Sequence, residues 1–200
     1  MNSSRFIHSL VFSICMVLLF SCGESATKTE DTPVTVAPAA EAAITNPNFT
    51  IAPVEYAELA ERTFQLLASL DIDAWGATMA DTVSYSFPDG DVDTRTTLKG
   101  KEEVLKWWKN WKATSGIQSM AVSEFNLFPL NATGAVKGGA SKGIHVIAYL
   151  SNKMVFNGKP VSIRMNFALH FNDDKKVDRV ISYYDRSVLI KVMGTNVLAK

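Results

Sequence analysis

Near its end the chain reads RVISYYDRSVLI, residues 179–190. An apolar, strand-like run finishes on two tyrosines and one acid, Asp185. A carboxylate partly screened from water has a raised pKa and becomes a usable general base. A tyrosine hydroxyl beside it can polarise a carbonyl oxygen. Asp185 and Tyr183 are therefore the candidate catalytic pair, for removing a proton next to a carbonyl. In an extended strand Ile181, Tyr183 and Asp185 share one face, and Val180, Ser182 and Tyr184 share the other. If the first set looks into a cavity, the pair is placed for chemistry. If the second set does, Asp185 is a solvated strand end that caps a helix beginning near Ser187. The residues leave both readings open.

Aromatic side chains supply the candidate binding surface. Trp107, Trp108 and Trp111 fall on one face of a helix with Val104. Together with Trp75, Tyr85, Phe87, His145 and Tyr149 they form a candidate pocket lining for a small hydrophobic or carbonyl-bearing ligand. Large aromatics at helical spacing are equally ordinary core residues. His145 and His170 stand on separate strand-like runs, and either has the chemistry of an acid or base near neutrality. A metal site on these two histidines would need a carboxylate partner nearby, and lone histidines are more often structural. DGDVD, residues 89–93, opens like a calcium loop, but Thr94 stands where glycine is required and Gly100 where the bidentate glutamate belongs. No metal and no cofactor is expected.

Bulk properties exclude other classes. Twenty basic residues balance twenty acidic ones, giving a net charge of zero over 200 residues. Nucleic-acid binding needs a basic excess to neutralise phosphates, so none is expected. No Gly-x-Ser-x-Gly elbow is present. The two cysteines are Cys15 and Cys22, and both lie in the N-terminal apolar region, which leaves the rest of the chain without a thiol nucleophile or a disulfide.

That N-terminal region has one basic residue, Arg5, then an apolar stretch from Leu10 to Phe20, then Ser21 and Cys22. The run is short for a membrane span and has the form of a secretory signal. Leu19, Phe20, Ser21 and Cys22 resemble the lipobox of a bacterial lipoprotein. The resemblance implies a signal peptide over 1–21, a lipidated Cys22 and membrane attachment through it. It places the protein in the bacterial cell envelope, with the outer membrane favoured because Gly23 follows the cysteine. Residues 22–50 are rich in Ala, Thr, Pro and Glu. Such a composition cannot bury enough apolar surface to offset ordering entropy, so it reads as a disordered tether. The folded domain is expected over 51–200.

Periodicity outlines that domain. Tyr56, Ala57, Ala60, Phe64, Leu67 and Ala68 mark an amphipathic helix. Asp71 or Asp73 is suited to cap a short second helix carrying Trp75. Val83, Tyr85 and Phe87 alternate with polar residues, as in a half-buried strand. The tryptophan helix follows. Strand-like runs then occupy roughly 118–130, 144–156, 161–171 and 177–185, and residues 187–194 suit a short closing helix. This order predicts an α+β fold in which a curved antiparallel sheet packs against about three helices.

DIDAWGATMADTVSYSFP, LKGKEEVLKWWKNW, the strand meander and the closing YYD resemble the SnoaL-like polyketide cyclase group of the nuclear transport factor 2-like superfamily. The resemblance covers about Val54 to Gly194. It implies a cone-shaped fold around a pocket, and a possible homodimer through the sheet. In the cyclases a carboxylate near the end of the last strand is the acid/base, and Asp185 falls on that position, with Tyr183 and Ser182 replacing the pattern's histidine and glutamate. Two functions follow as expectations. One is a non-catalytic envelope domain that binds a small apolar ligand or an envelope partner. The alternative is a cofactor-independent cyclase or isomerase using Asp185.

Overall fold

A computed structural model describes residues 48–89, 95–134 and 141–198. The expected signal peptide, Cys22, most of the expected tether, most of the DGDVD run and the glycine-rich connection at 135–140 lie outside the described residues.

Among the described residues, four helices and seven strands follow one another. Strand β1 (Phe49–Ile51) leads into helices α1 (Glu55–Ala68) and α2 (Ile72–Gly76), strands β2 (Met79–Ser86) and β3 (Thr97–Lys99), and helix α3 (Lys101–Thr114). Strands β4 (Ile117–Ala132), β5 (Gly143–Phe156), β6 (Lys159–Phe171) and β7 (Val177–Tyr184) come next, and helix α4 (Ser187–Met193) follows them. The strands form one sheet in the order β1-β4-β5-β6-β7-β2-β3. Phe49 and Thr50, read from sequence as the end of the tether, pair with Ala132 and Asn131 at the sheet edge.

Periodicity placed the long elements well. On α1 the buried stripe is Ala60, Thr63, Phe64 and Leu67, where Thr63 returns its hydroxyl to the Leu59 carbonyl at 2.8 Å. Asp71 caps α2 by accepting from the Ala74 N–H at 3.0 Å, which satisfies one otherwise unpaired amide of the first turn. Strands β5 and β6 meet through Asn157 and Gly158, whose φ angles of 48° and 78° give the two-residue turn that matches strand twist.

One pairing departs from the expected antiparallel sheet. β2 lies parallel to β7, with Tyr85 opposite Val180 and Ser86 opposite Ile181. The other pairings are antiparallel. The parallel contact joins segments about a hundred residues apart in the chain, which local alternation cannot reveal.

The core fills the space between one sheet face and the helices. Val146, Ala148, Leu150, Met154 and Phe156 of β5 face it, as do Ile163, Phe167, Leu169 and Phe171 of β6. On β4 a bulge between Ser123 and Asn126, with Glu124 at φ 55°, shifts the alternation by one. Val122 and Phe125 therefore both pack toward the core although they are three residues apart.

Candidate functional site

The face that β7 turns inward decides where chemistry can occur. Val180 and Ser182 are buried, whereas Tyr183 is 51% exposed. Tyr184 lines an interior cavity, and so does Arg186 beyond the strand end. Asp185 and Tyr183 therefore stand on the outer side, and the catalytic placement expected for them is corrected. The exposed carboxylate of Asp185 accepts from the Ser187 N–H at 2.8 Å. A hydrogen bond with the Ser187 side chain, together with that contact, holds its pKa below the ordinary value. A raised pKa would have required burial away from such donors. Asp185 thus makes a local turn into α4.

The cavity lies between the inner sheet face, α3 and the C-terminal segment. Tyr85 and Phe87 form one wall with Trp107, Trp108 and Trp111. The opposite wall comes from β4, β5 and β6, through Val122, Leu150, Phe156 and Phe167 among others. Four methionines also line it: Met120, Met154, Met165 and Met193. Leu189, Ile190, Val197 and Leu198 close it from α4 and the tail. The aromatic wall is tightly packed. Trp108 contacts Trp75, Trp107 and Trp111 edge to face, with ring centroids 5.4, 5.2 and 5.1 Å away.

Five expected lining residues, Tyr85, Phe87, Trp107, Trp108 and Trp111, are brought together here. Three others are not. Trp75 is buried behind the wall, against Trp108 and Tyr85. Tyr149 is exposed on the outer sheet face, 6.2 Å from Phe128 by ring centroid. His145 is on that outer face too, because period-two alternation along β5 puts it opposite Val146 and Ala148. Its Nε2 donates to the Ser141 carbonyl at 2.8 Å, and its ring lies 4.7 Å from that of His170. Partial burial lowers the pKa of His145, the Ser141 carbonyl opposes that shift, and His170 and Arg179 add to it. No group of three His, Cys, Asp or Glu residues placed to hold a metal occurs among the described residues.

The open volume of the cavity is about 60 Å³. That is room for water-sized groups, and less than the roughly 150 Å³ of a cavity known to take up benzene. Its polar groups are few. Burial pushes the Tyr85 hydroxyl well above its usual pKa, reinforced by Tyr184, although a hydrogen bond with Ser182 opposes the rise. Tyr184 is pushed up to about 12, chiefly by burial. Both stay neutral donors at physiological pH. Ser182 also donates to the Ser86 carbonyl at 3.0 Å, and Arg186 bonds to Asn196 in the tail.

Among the described residues, two buried side-chain atoms have no hydrogen-bond partner: Nε1 of Trp108 and Oδ1 of Asn152. Both residues line the cavity. Trp108 is 7% and Asn152 3% exposed. Asn152 turns its amide N–H toward Met165 Sδ at 3.8 Å, and because a thioether accepts but never donates, this leaves the carbonyl oxygen facing no donor. An unpaired buried polar group costs about 1–3 kcal/mol. Sequence reasoning missed Asn152. Its signal was present: the inward series Val146, Ala148, Leu150, Met154, Phe156 is interrupted by one amide.

No family model matches the chain, and no curated protein does. Solved structures do. A candidate polyketide cyclase from Xanthomonas campestris pv. campestris matches with a TM-score of 0.52 at 15% identity, covering 69% of this chain and 96% of that one. A candidate isomerase from Bacillus subtilis matches with a TM-score of 0.53 at 17% identity, over 72% and 96%. A nuclear transport factor 2-like protein from Anabaena variabilis matches at 0.51 and 16% identity, over 70% and 96%. The fold is nuclear transport factor 2-like. At these identities the likeness concerns the fold, and function has to be argued from the cavity. In this nuclear transport factor 2-like domain the cavity walls contain, among the described residues, no carboxylate and no imidazole.

Proposed function

We propose that the domain binds a small apolar ligand in the interior cavity without turning it over, and that it does so tethered to the bacterial envelope through a lipidated Cys22. The observation that carries the binding reading is the character of the walls. They are aromatic, aliphatic and thioether side chains, with two tyrosines held neutral and one arginine bonded to Asn196. Proton abstraction next to a carbonyl needs a base that titrates near the working pH. Asp185, the residue that the cyclase alternative relies on, is exposed and turned toward Ser187.

Entry of a ring-sized molecule requires the small cavity to enlarge. Methionine is unbranched and adapts to irregular shapes, so four of them make a yielding wall. Helix α4 supplies the other movable part, since none of its residues is buried whereas α1, α2 and α3 each bury several. Elements with little buried surface open at low free-energy cost.

Titration of the purified domain with toluene, followed by tryptophan fluorescence, tests this reading. The expected result is saturable quenching that weakens when Trp111 is replaced by Ala. Quenching that never saturates would remove the cavity as a binding site. Mass spectrometry of the mature N-terminus tests the tether, which requires a diacyl or triacyl mass on Cys22. The exposed Phe128, Tyr149 and Tyr183 support a homodimer through the outer sheet face as a further part of the proposal. Sedimentation should then show a dimer that Tyr149→Lys weakens.

A further inference from the structure

We propose that the cavity selects a neutral ligand group that both accepts and donates a hydrogen bond, taken up by Trp108 Nε1–H and Asn152 Oδ1. This rests on the binding reading above and names the chemistry of the ligand's polar part. The two atoms are complementary, one donor and one acceptor, and both are buried without a partner in the wall of the same cavity. Tyr85 bonds with Ser182, Ser182 with Ser86 and Arg186 with Asn196, and Tyr184 adds a neutral hydroxyl to the wall.

The pair of open atoms fits a charged group poorly. An anion would suit Trp108, and Arg186 in the same wall, but meet the lone pairs of Asn152. A cation would suit Asn152 but meet the indole N–H, and no carboxylate is among the described lining residues. A hydroxyl meets both requirements from one oxygen, and an amide meets them from two atoms. The remainder of the ligand is apolar, because most of the rest of the wall is aromatic, aliphatic and thioether. The ligand class is thus a small alcohol, phenol or neutral amide on an apolar body.

Phenol and toluene are matched in size and differ by hydroxyl against methyl, so they separate the polar contribution from the apolar one. Calorimetric titration of the wild-type domain should show phenol binding about tenfold or more tightly than toluene, because a site built for a hydroxyl rejects an analogue that leaves its polar groups unpaired. Asn152→Leu removes the acceptor at similar volume and should reverse the order. Trp108→Phe removes the N–H and should weaken phenol about tenfold while moving toluene about threefold or less. The wild-type comparison needs no variant, and Trp108→Phe serves if Asn152→Leu does not fold. Equal affinities for both probes, unchanged in the variants, would mean that water alone satisfies these atoms. The cavity would stand and the selectivity would fall. Tighter binding of benzoate than of phenol would overturn the neutral class. Saturable binding of none of the probes would remove the cavity reading and this inference with it.

Discussion

On the outer face of the sheet, His170 sits between Asp178 at 2.5 Å and the Lys142 carbonyl at 3.2 Å, with the His145 ring tilted against it and bonded to Ser141. On the inner face, Trp108 and Asn152 hold polar atoms that face no partner. The groups with familiar acid–base chemistry are therefore the ones the fold has already satisfied. The groups without it are the ones left unpaired in residues of a cavity wall. Because an unpaired buried polar group is destabilising, its presence in a wall signals an occupant better than an exposed carboxylate does. A histidine or aspartate at a strand end is more easily noticed in a sequence, but in this chain those residues brace the β4–β5 connection and the start of α4.

This contrast can be broken in several ways. The largest expected effect is in the inner core, where Phe156 is fully buried and edge-to-face with Trp111 at 6.0 Å. Phe156→Ala should cost about 3–5 kcal/mol in urea unfolding, whereas Tyr183→Ala on the outer face, read at a concentration where the domain is monomeric, should stay within about 0.5 kcal/mol. Comparable losses would mean that the outer face is packed against something the contrast ignores.

Next comes the support beneath the histidines. Gly143 has φ 123°, and a Cβ there would lie 2.7 Å from His170 Nε2. Gly143→Ala should therefore destabilise by about 1–3 kcal/mol through backbone strain and displacement of the imidazole. It should leave probe binding in the cavity unchanged. A loss of binding would show that the two faces are coupled.

The pH dependence is a smaller effect. In the folded protein His145 has a pKa below its ordinary 6.5. The unfolded chain then binds the proton first, so this group's contribution is complete above about pH 6.5 and is lost as pH falls from there through the folded pKa. His145→Gln should flatten that part of the stability profile, measured by Tm between pH 5 and pH 8. An unaltered slope would assign the dependence to other groups. The smallest effect is expected for Asp185→Asn, since an amide oxygen still accepts from Ser187. Ligand affinity should be unchanged, and any loss would return Asp185 to the site.

Much of this fold was legible in the sequence because its elements are long and strongly periodic. Helix α3 announces itself by Val104, Trp108 and Trp111, and β5 by alternation over its full length. The direction of β7 was not legible. Val180, Ser182 and Tyr184 are about as apolar as Ile181, Tyr183 and Asp185, so alternation could not choose between the sets. The choice is made by pairing with β2, in which Ser182 bonds back to Ser86 across nearly the whole domain. His145 and Tyr149 were misplaced for a related reason. Their strand was recognised, but its inward face follows from which set the helices cover. Asn152 was overlooked because an amide is chemically quiet. Only its position within an otherwise apolar face marks it.

The central claim is that the inner cavity takes a ligand and the outer chemistry does not. The indole N–H spectrum of the four tryptophans, recorded by nuclear magnetic resonance during a phenol titration, tests it most directly. Trp108→Phe assigns the signal that matters. The account predicts a saturable downfield shift of the Trp108 N–H, while the backbone amides of Tyr183 and Asp185 stay in place. An unmoved Trp108 signal, with shifts gathered instead around Tyr183, Asp185 or His145, would contradict it.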